Sequence, residues 1–149
     1  MPDANNSTSP VNGNAYWGEL TTESFRRINP ESTVAILPVA AIEQHGPHLP
    51  LNTDAQICGS LVKRVIAKTT AETQIIALPL MEIGESSEHR DFPGTLSFLP
   101  EHLISLWTSL GKQVQKVGIK KLLILNTHGG QPSIVDLVAQ RLRTESQML

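Results

Sequence analysis

The sequence predicts an α/β fold, a parallel three-layer α/β/α sandwich, on two observations. Three apolar runs lack the alternation of a half-exposed strand: Val34-Ala35-Ile36-Leu37-Pro38-Val39, Ile75-Ile76-Ala77-Leu78-Pro79-Leu80 and Leu122-Leu123-Ile124-Leu125. Strands that are apolar on both faces are covered on both faces, as in parallel sheets. Amphipathic helical stretches separate the runs, and strand alternating with helix implies right-handed crossovers between parallel strands.

In chain order, residues 1–15 are rich in Asn, Ser, Pro and Gly and carry too little apolar surface to offset the entropy of ordering. They read as a flexible tail ahead of one domain over 16–149. The triplets Asn5-Asn6-Ser7 and Asn6-Ser7-Thr8 match a glycosylation pattern, but with no secretion signal they read as coincidental. A short helix is expected over 22–28, ending before Pro30. Pro38 and Pro79 are expected to mark strand exits, because proline cannot donate to a central ladder. The helix over 54–69 places Ile57, Leu61, Val62, Val65 and Ile66 on one face. The helix over 100–117 does the same with Leu103, Ile104, Trp107, Leu110 and Val114, with Pro100 in its first turn and Gly118 as its stop. A last helix over 132–144 turns Ile134, Val135, Val138 and Leu142 inward.

Composition narrows the function. A chain of 149 residues with 40% hydrophobic residues and net charge −2 suits one globular domain. Basic residues stand singly or in pairs such as Arg26-Arg27 and Lys120-Lys121, without a basic stripe, so no nucleic-acid partner is expected. The lone Cys58 excludes an internal disulfide framework and favours a reducing compartment. No run approaches the roughly 20 apolar residues of a membrane helix, and no basic-then-apolar leader opens the sequence. A soluble, cytoplasmic protein with no membrane partner is expected.

Open parallel sheets gather ligands at the carboxyl ends of their strands, and the loops over 40–53, 81–98 and 126–131 all fall there. The first contains Glu43-Gln44-His45-Gly46-Pro47-His48 and leads to Asp54; the third is Asn126-Thr127-His128-Gly129-Gly130. In an extended segment residues i and i+2 point the same way, so Glu43 and His45 can converge. Glu43, His45, Asp54 and His128 form a set of oxygen and imidazole ligands suited to zinc or manganese, and the absence of thiolate argues against a purely structural zinc. Singly, each has an ordinary reading: Asp54 as a helix N-cap, His128 as a turn residue, Glu43 as a solvated charge. Their joint occurrence at one sheet end favours the cation.

If Asp54 bridges two ions, these four residues supply five ligand bonds, one short of about three per catalytic ion. His48, Glu85, Glu88 and His89 are candidates for the remaining one. A bound cation lowers the pKa of water and polarises carbonyls, which suits hydrolysis of an amide or related carbon-nitrogen bond. No serine lies in a G-x-S-x-G setting and Cys58 falls within a helix, so covalent catalysis is not expected. Gly129-Gly130 before a helix is a weak signal for anion binding. The long polar loop over 81–98 reads as a substrate-facing wall.

At these residues the chain resembles the creatininase family. The matching pieces are Leu37-Pro38-Val39 leading into Glu43-Gln44-His45-Gly46-Pro47-His48-Leu49-Pro50-Leu51-Asn52-Thr53-Asp54, then Glu88-His89 with Phe92-Pro93-Gly94-Thr95, then Asn126-Thr127-His128-Gly129-Gly130. Trp17-Gly18-Glu19-Leu20-Thr21 is similar to the family's opening segment. The resemblance implies a zinc- or manganese-dependent hydrolase of small cyclic amides, formamides or related non-peptide amides, assembled as a homo-oligomer, often a hexamer. By motif, Glu43 and His128 would hold one ion and His45 the other. Asp54 would bridge them, Glu43 and Asp54 acting as the catalytic carboxylates. Glu88, His89, Gly94 and Thr95 would shape the substrate pocket. The third motif ends in Gln131 where members usually carry Asn, and Thr127 stands where they carry Gly. Members also continue through a segment that contributes a metal-binding glutamate and proton-handling groups, so the chain reads as the amino-terminal portion of the fold, incomplete at its carboxyl end. The competing expectation is a catalytically inactive, truncated homologue serving as a binding or interaction module.

Overall fold

The structure, a computed structural model, describes residues 15–69 and 73–149. The expected tail lies outside the described residues except for Ala15, which opens a strand. The elements are β1 (Ala15–Tyr16), α1 (Thr22–Arg26), β2 (Thr33–Val39), α2 (Thr53–Lys68), β3 (Gln74–Ala77), α3 (Pro100–Lys116), β4 (Lys121–Asn126) and α4 (Pro132–Ser146), with single 3₁₀ turns at Trp17–Glu19 and Ser87–His89. Pairing is parallel throughout, in the order β1-β3-β2-β4. The three apolar runs fall on β2, β3 and β4, the second of them only as far as Ala77. β1 was not anticipated, because two residues carry no periodicity.

From β2 the chain moves outward to β3, then crosses back over β2 to reach β4. Right-handed crossovers therefore place α2 on one face of the sheet and α3 on the other. On the α3 face, Ala35, Leu37 and Val39 of β2 pack with Ile76, with Leu103, Trp107 and Val114 of α3, and with Ile134, Val138 and Leu142 of α4. On the opposite face Ala40, Ala55 and Cys58 form a small cluster under Leu80 and Leu125. The reversal of direction opens a crevice at the carboxyl ends of β2 and β4, the place where such sheets take ligands.

Two expectations are corrected. Pro38 lies inside β2 rather than at its exit. The carbonyls of Ile36 and Pro38 accept from Leu78 and Met81 N–H on the β3 side. The missing proline donor falls where the ladder is interrupted, between the pairing that ends at Ala77 and the isolated parallel bridge of Val39 with Met81. In α2, Ile57 and Leu61 are 48% and 40% exposed, whereas Asp54, Ala55, Cys58 and Val62 are buried. Small residues, not the large aliphatics, form the contact with β2.

Helix boundaries follow local chemistry. Thr21 and Ser24 make a reciprocal capping box on α1. Pro100 occupies the first turn of α3, and Gly118 past its end adopts φ +94°. Among the described residues no helix is long and apolar enough to cross a membrane.

Candidate metal centre

Glu43 follows β2, its N–H bonded to Leu51 O at 3.0 Å. Asp54 lies in the first turn of α2, its backbone carbonyl held by Thr127 Oγ1 at 3.0 Å. His128 follows β4, clasped by Asn126, whose Oδ1 accepts from His128 N–H (3.1 Å) and whose Nδ2 donates to His128 O (2.8 Å). Two loops and the first turn of α2 thus bring together side chains up to 85 positions apart. Glu43, Asp54 and His128 are only 6%, 6% and 4% exposed.

The hydrogen bonds around each imidazole determine which nitrogen faces the centre. His128 Nε2 lies 2.7 Å from the carbonyl of Glu85, an atom that can only accept, so Nε2 carries the hydrogen. In the neutral ring, Nδ1 then turns a lone pair toward Glu43 Oε1 at 3.1 Å and Asp54 Oδ2 at 3.2 Å. His45 repeats the arrangement: Nδ1 donates to Glu43 O at 3.1 Å, leaving Nε2 to face Asp54 Oδ1 at 3.2 Å. Asp54 therefore directs one oxygen at each of two imidazole lone pairs.

Buried acceptors facing acceptors repel unless a cation lies between them or the rings are protonated. Asp54 Oδ2 accepts no hydrogen bond, and no Lys or Arg pairs with Glu43 or Asp54 among the described residues. The N-cap reading of Asp54 fails as well, because Asn52 occupies that position. Ligand atoms of Glu43, Asp54 and His128 lie within 4.8 Å of one another. The donor set and the orphaned oxygen fit a divalent cation.

Other expected residues are placed less directly. Glu88 and His89 stand at the mouth and cluster with Glu43 within 4.8 Å. Glu88 Oε1 is 3.8 Å from His128 Nε2, over Gly130, where a β-carbon would collide with it. His89 Nδ1 accepts from Gln44 Nε2 at 3.1 Å, so Nε2 carries the hydrogen and lies 3.7 Å from Glu43 Oε2; this ring presents a donor, not a lone pair. Gly94 adopts φ +91°, and a β-carbon there would strike Leu51. Thr95 Oγ1 is buried with no hydrogen-bond partner among the described residues. His48 is exposed beside Gly46, and Glu85 turns its carboxylate back onto Ser87, so neither supplies the remaining ligand. Ser86, which motif reasoning missed, is fully buried and donates from Oγ to Glu43 Oε2.

The Creatininase profile, creatinine amidohydrolase, matches residues 18–149. The chain belongs to the creatininase family. It is 32% identical over 136 residues to a mycofactocin precursor peptide peptidase of Mycobacterium tuberculosis, covering 87% of this chain and 54% of that protein. It is 29% identical over 119 residues to a creatinine amidohydrolase of Pseudomonas putida, covering 76% and 44%. A solved mutant creatininase of the Zn-Zn type superposes with TM-score 0.78 at 25% identity, over 89% of this chain and 52% of that one. A structure described as creatininase Mn matches in fold, with TM-score 0.67 at 24% identity over 87% and 53%. The chain spans about half the length of the curated relatives it matches. The parallel α/β architecture read from the sequence is the one these creatininases share.

Proposed function

We propose that this chain holds the cation-binding part of a creatininase-type amidohydrolase, acting with zinc or manganese on a small cyclic or formyl amide. The observation that carries the reading is Asp54 set between two imidazoles whose bare nitrogens both face it. Glu43 Oε1, Asp54 Oδ2 and His128 Nδ1 would hold one ion; Asp54 Oδ1 and His45 Nε2 face a second position. The chemistry such an ion supplies is activation of water and polarisation of a carbonyl. Ser86 orients Glu43, and Glu85 O orients the His128 ring. His89 Nε2–H and Glu88 border the mouth, where they suit the polar atoms of an amide. The buried, free Cys58 fits a reducing, cytoplasmic setting.

Metal analysis of purified protein, with His128→Ala and Asp54→Asn beside it, tests the reading. Bound zinc or manganese in the wild type and its loss in both variants is expected; negligible metal in all three ends the case. Turnover is assayed on cyclic amides, formamides and a short peptide, because the relatives include both an amidohydrolase and a peptidase. Metal uptake without turnover favours the second reading, a non-catalytic binding module. That reading draws support from the second position, where the observed pair is Asp54 Oδ1 and His45 Nε2 at 3.2 Å.

A further inference from the structure

We propose that Gln131 is the positioning residue of this centre, holding His128 at both its backbone and its ring. The inference rests on the cation-site reading and assigns a role to the residue that replaces the family's usual Asn. Gln131 stands at the N-cap of α4 and is fully buried, yet its side chain does not cap that helix. Nε2 donates to Ala40 O (3.3 Å) and to Asn126 Oδ1 (3.0 Å), while Oε1 accepts from Glu85 N–H (3.1 Å). One partner lies in each of the three loops that build the site.

Two of those partners lead directly to His128. Asn126 clasps its backbone, and the carbonyl of Glu85 takes the hydrogen of Nε2. Where Glu85 sits determines where the ring points, and Gln131 Oε1 is bonded to the Glu85 amide. The chemistry of the side chain is matched atom for atom: two N–H groups meet two acceptors, and one carbonyl meets one donor. A glutamate here would set an oxygen against the oxygens of Ala40 and Asn126. An asparagine is one methylene shorter and cannot span all three loops from the same backbone position. Gly84 belongs to the arrangement too, since a β-carbon there would collide with Ala40 O and the Gln131 amide.

Gln131→Met, nearly isosteric and apolar, and Gln131→Asn test the proposal with three measurements: thermal unfolding, backbone amide exchange in the metal-free protein, and titration with Mn²⁺. In the folded variants, exchange at the Glu85 and His128 amides should quicken by about tenfold or more while Leu37 and Ile76 stay protected. The Mn²⁺ dissociation constant should rise about 10- to 100-fold. Exchange at both amides, or Mn²⁺ affinity, within about twofold of wild type in a folded variant overturns it. The wild type offers a check that needs no variant: the Glu85 amide must exchange as slowly as core amides, and a freely exchanging one sinks the idea. If the wild type takes up no Mn²⁺, the cation reading fails by itself and exchange alone decides the role of Gln131.

Discussion

Asp54 is buried beside Glu43 with no Lys or Arg partner among the described residues, an arrangement that costs stability in the absence of a cation and gains from one. Glu43 is kept in place by Ser86, whose hydroxyl occupies Oε2 and leaves Oε1 to face His128. Removing that donor should let the carboxylate rotate. Ser86→Ala is expected to weaken Mn²⁺ binding about tenfold while the protein stays folded, read by calorimetric titration beside a melting curve. The four ligand candidates were legible in the sequence because acidic and imidazole groups broken by Gly and Pro at strand ends are uncommon. Ser86 was not, and Gln131 stood out only as a departure from the family motif, because hydroxyl and amide side chains carry no signal of the partners that folding brings to them.

At the scale of elements, α2 shows why periodicity points to a helix more securely than to its buried face. Its approach to β2 is set by Ala55 and Cys58, which lie over Ala40, and the large Ile57 and Leu61 are left on the open side. Cys58 Sγ lies 3.9 Å from Val39 O and 3.7 Å from Leu125 O. Burial pushes its thiol above the ordinary value of 9.0, against the lowering effect of the Thr127 and Val39 hydrogen bonds. The sign of the linkage follows. A group whose folded pKa is raised stabilises the fold below its unfolded pKa, and that contribution is lost as pH rises through the folded value. Stability should therefore fall on the alkaline side above about pH 9, and Cys58→Ala should flatten that limb in denaturant titrations at several pH values. An unchanged alkaline limb would show that the thiol does not contribute.

At the scale of the molecule, the loops that build the centre also display apolar side chains around it. Leu49, Leu51, Phe92, Leu96, Phe98 and Leu99 are all exposed, and Leu96 N–H is bonded to Ile42 O, which ties two loops into one surface. Exposed apolar side chains of this kind suit an interaction surface. Self-association through this rim is the expected outcome: sedimentation velocity should show species heavier than the 16.3 kDa chain, and Leu96→Arg should shift them toward monomer. A wild type that sediments as a monomer at all concentrations would remove the homo-oligomer from the account. The sheet has a second open feature at β4, where Leu149 N–H donates to Lys120 O and Leu149 O accepts from Leu122 N–H, the bond pair of a parallel bridge. Leu123 beside it is exposed.

By itself the sequence determined the fold class, the three long strands and the approximate helix limits, since unalternating apolar runs and helical spacing are local properties of a chain. It also supplied the candidate ligand types, because chemistry is written in residue identity. Only the tertiary structure decided the strand order, the interruption of the ladder at Pro38, and which nitrogen of each histidine faces Asp54. Those outcomes depend on carbonyls and amides delivered from distant loops, and hydrogen-bond direction across space has no counterpart in linear spacing.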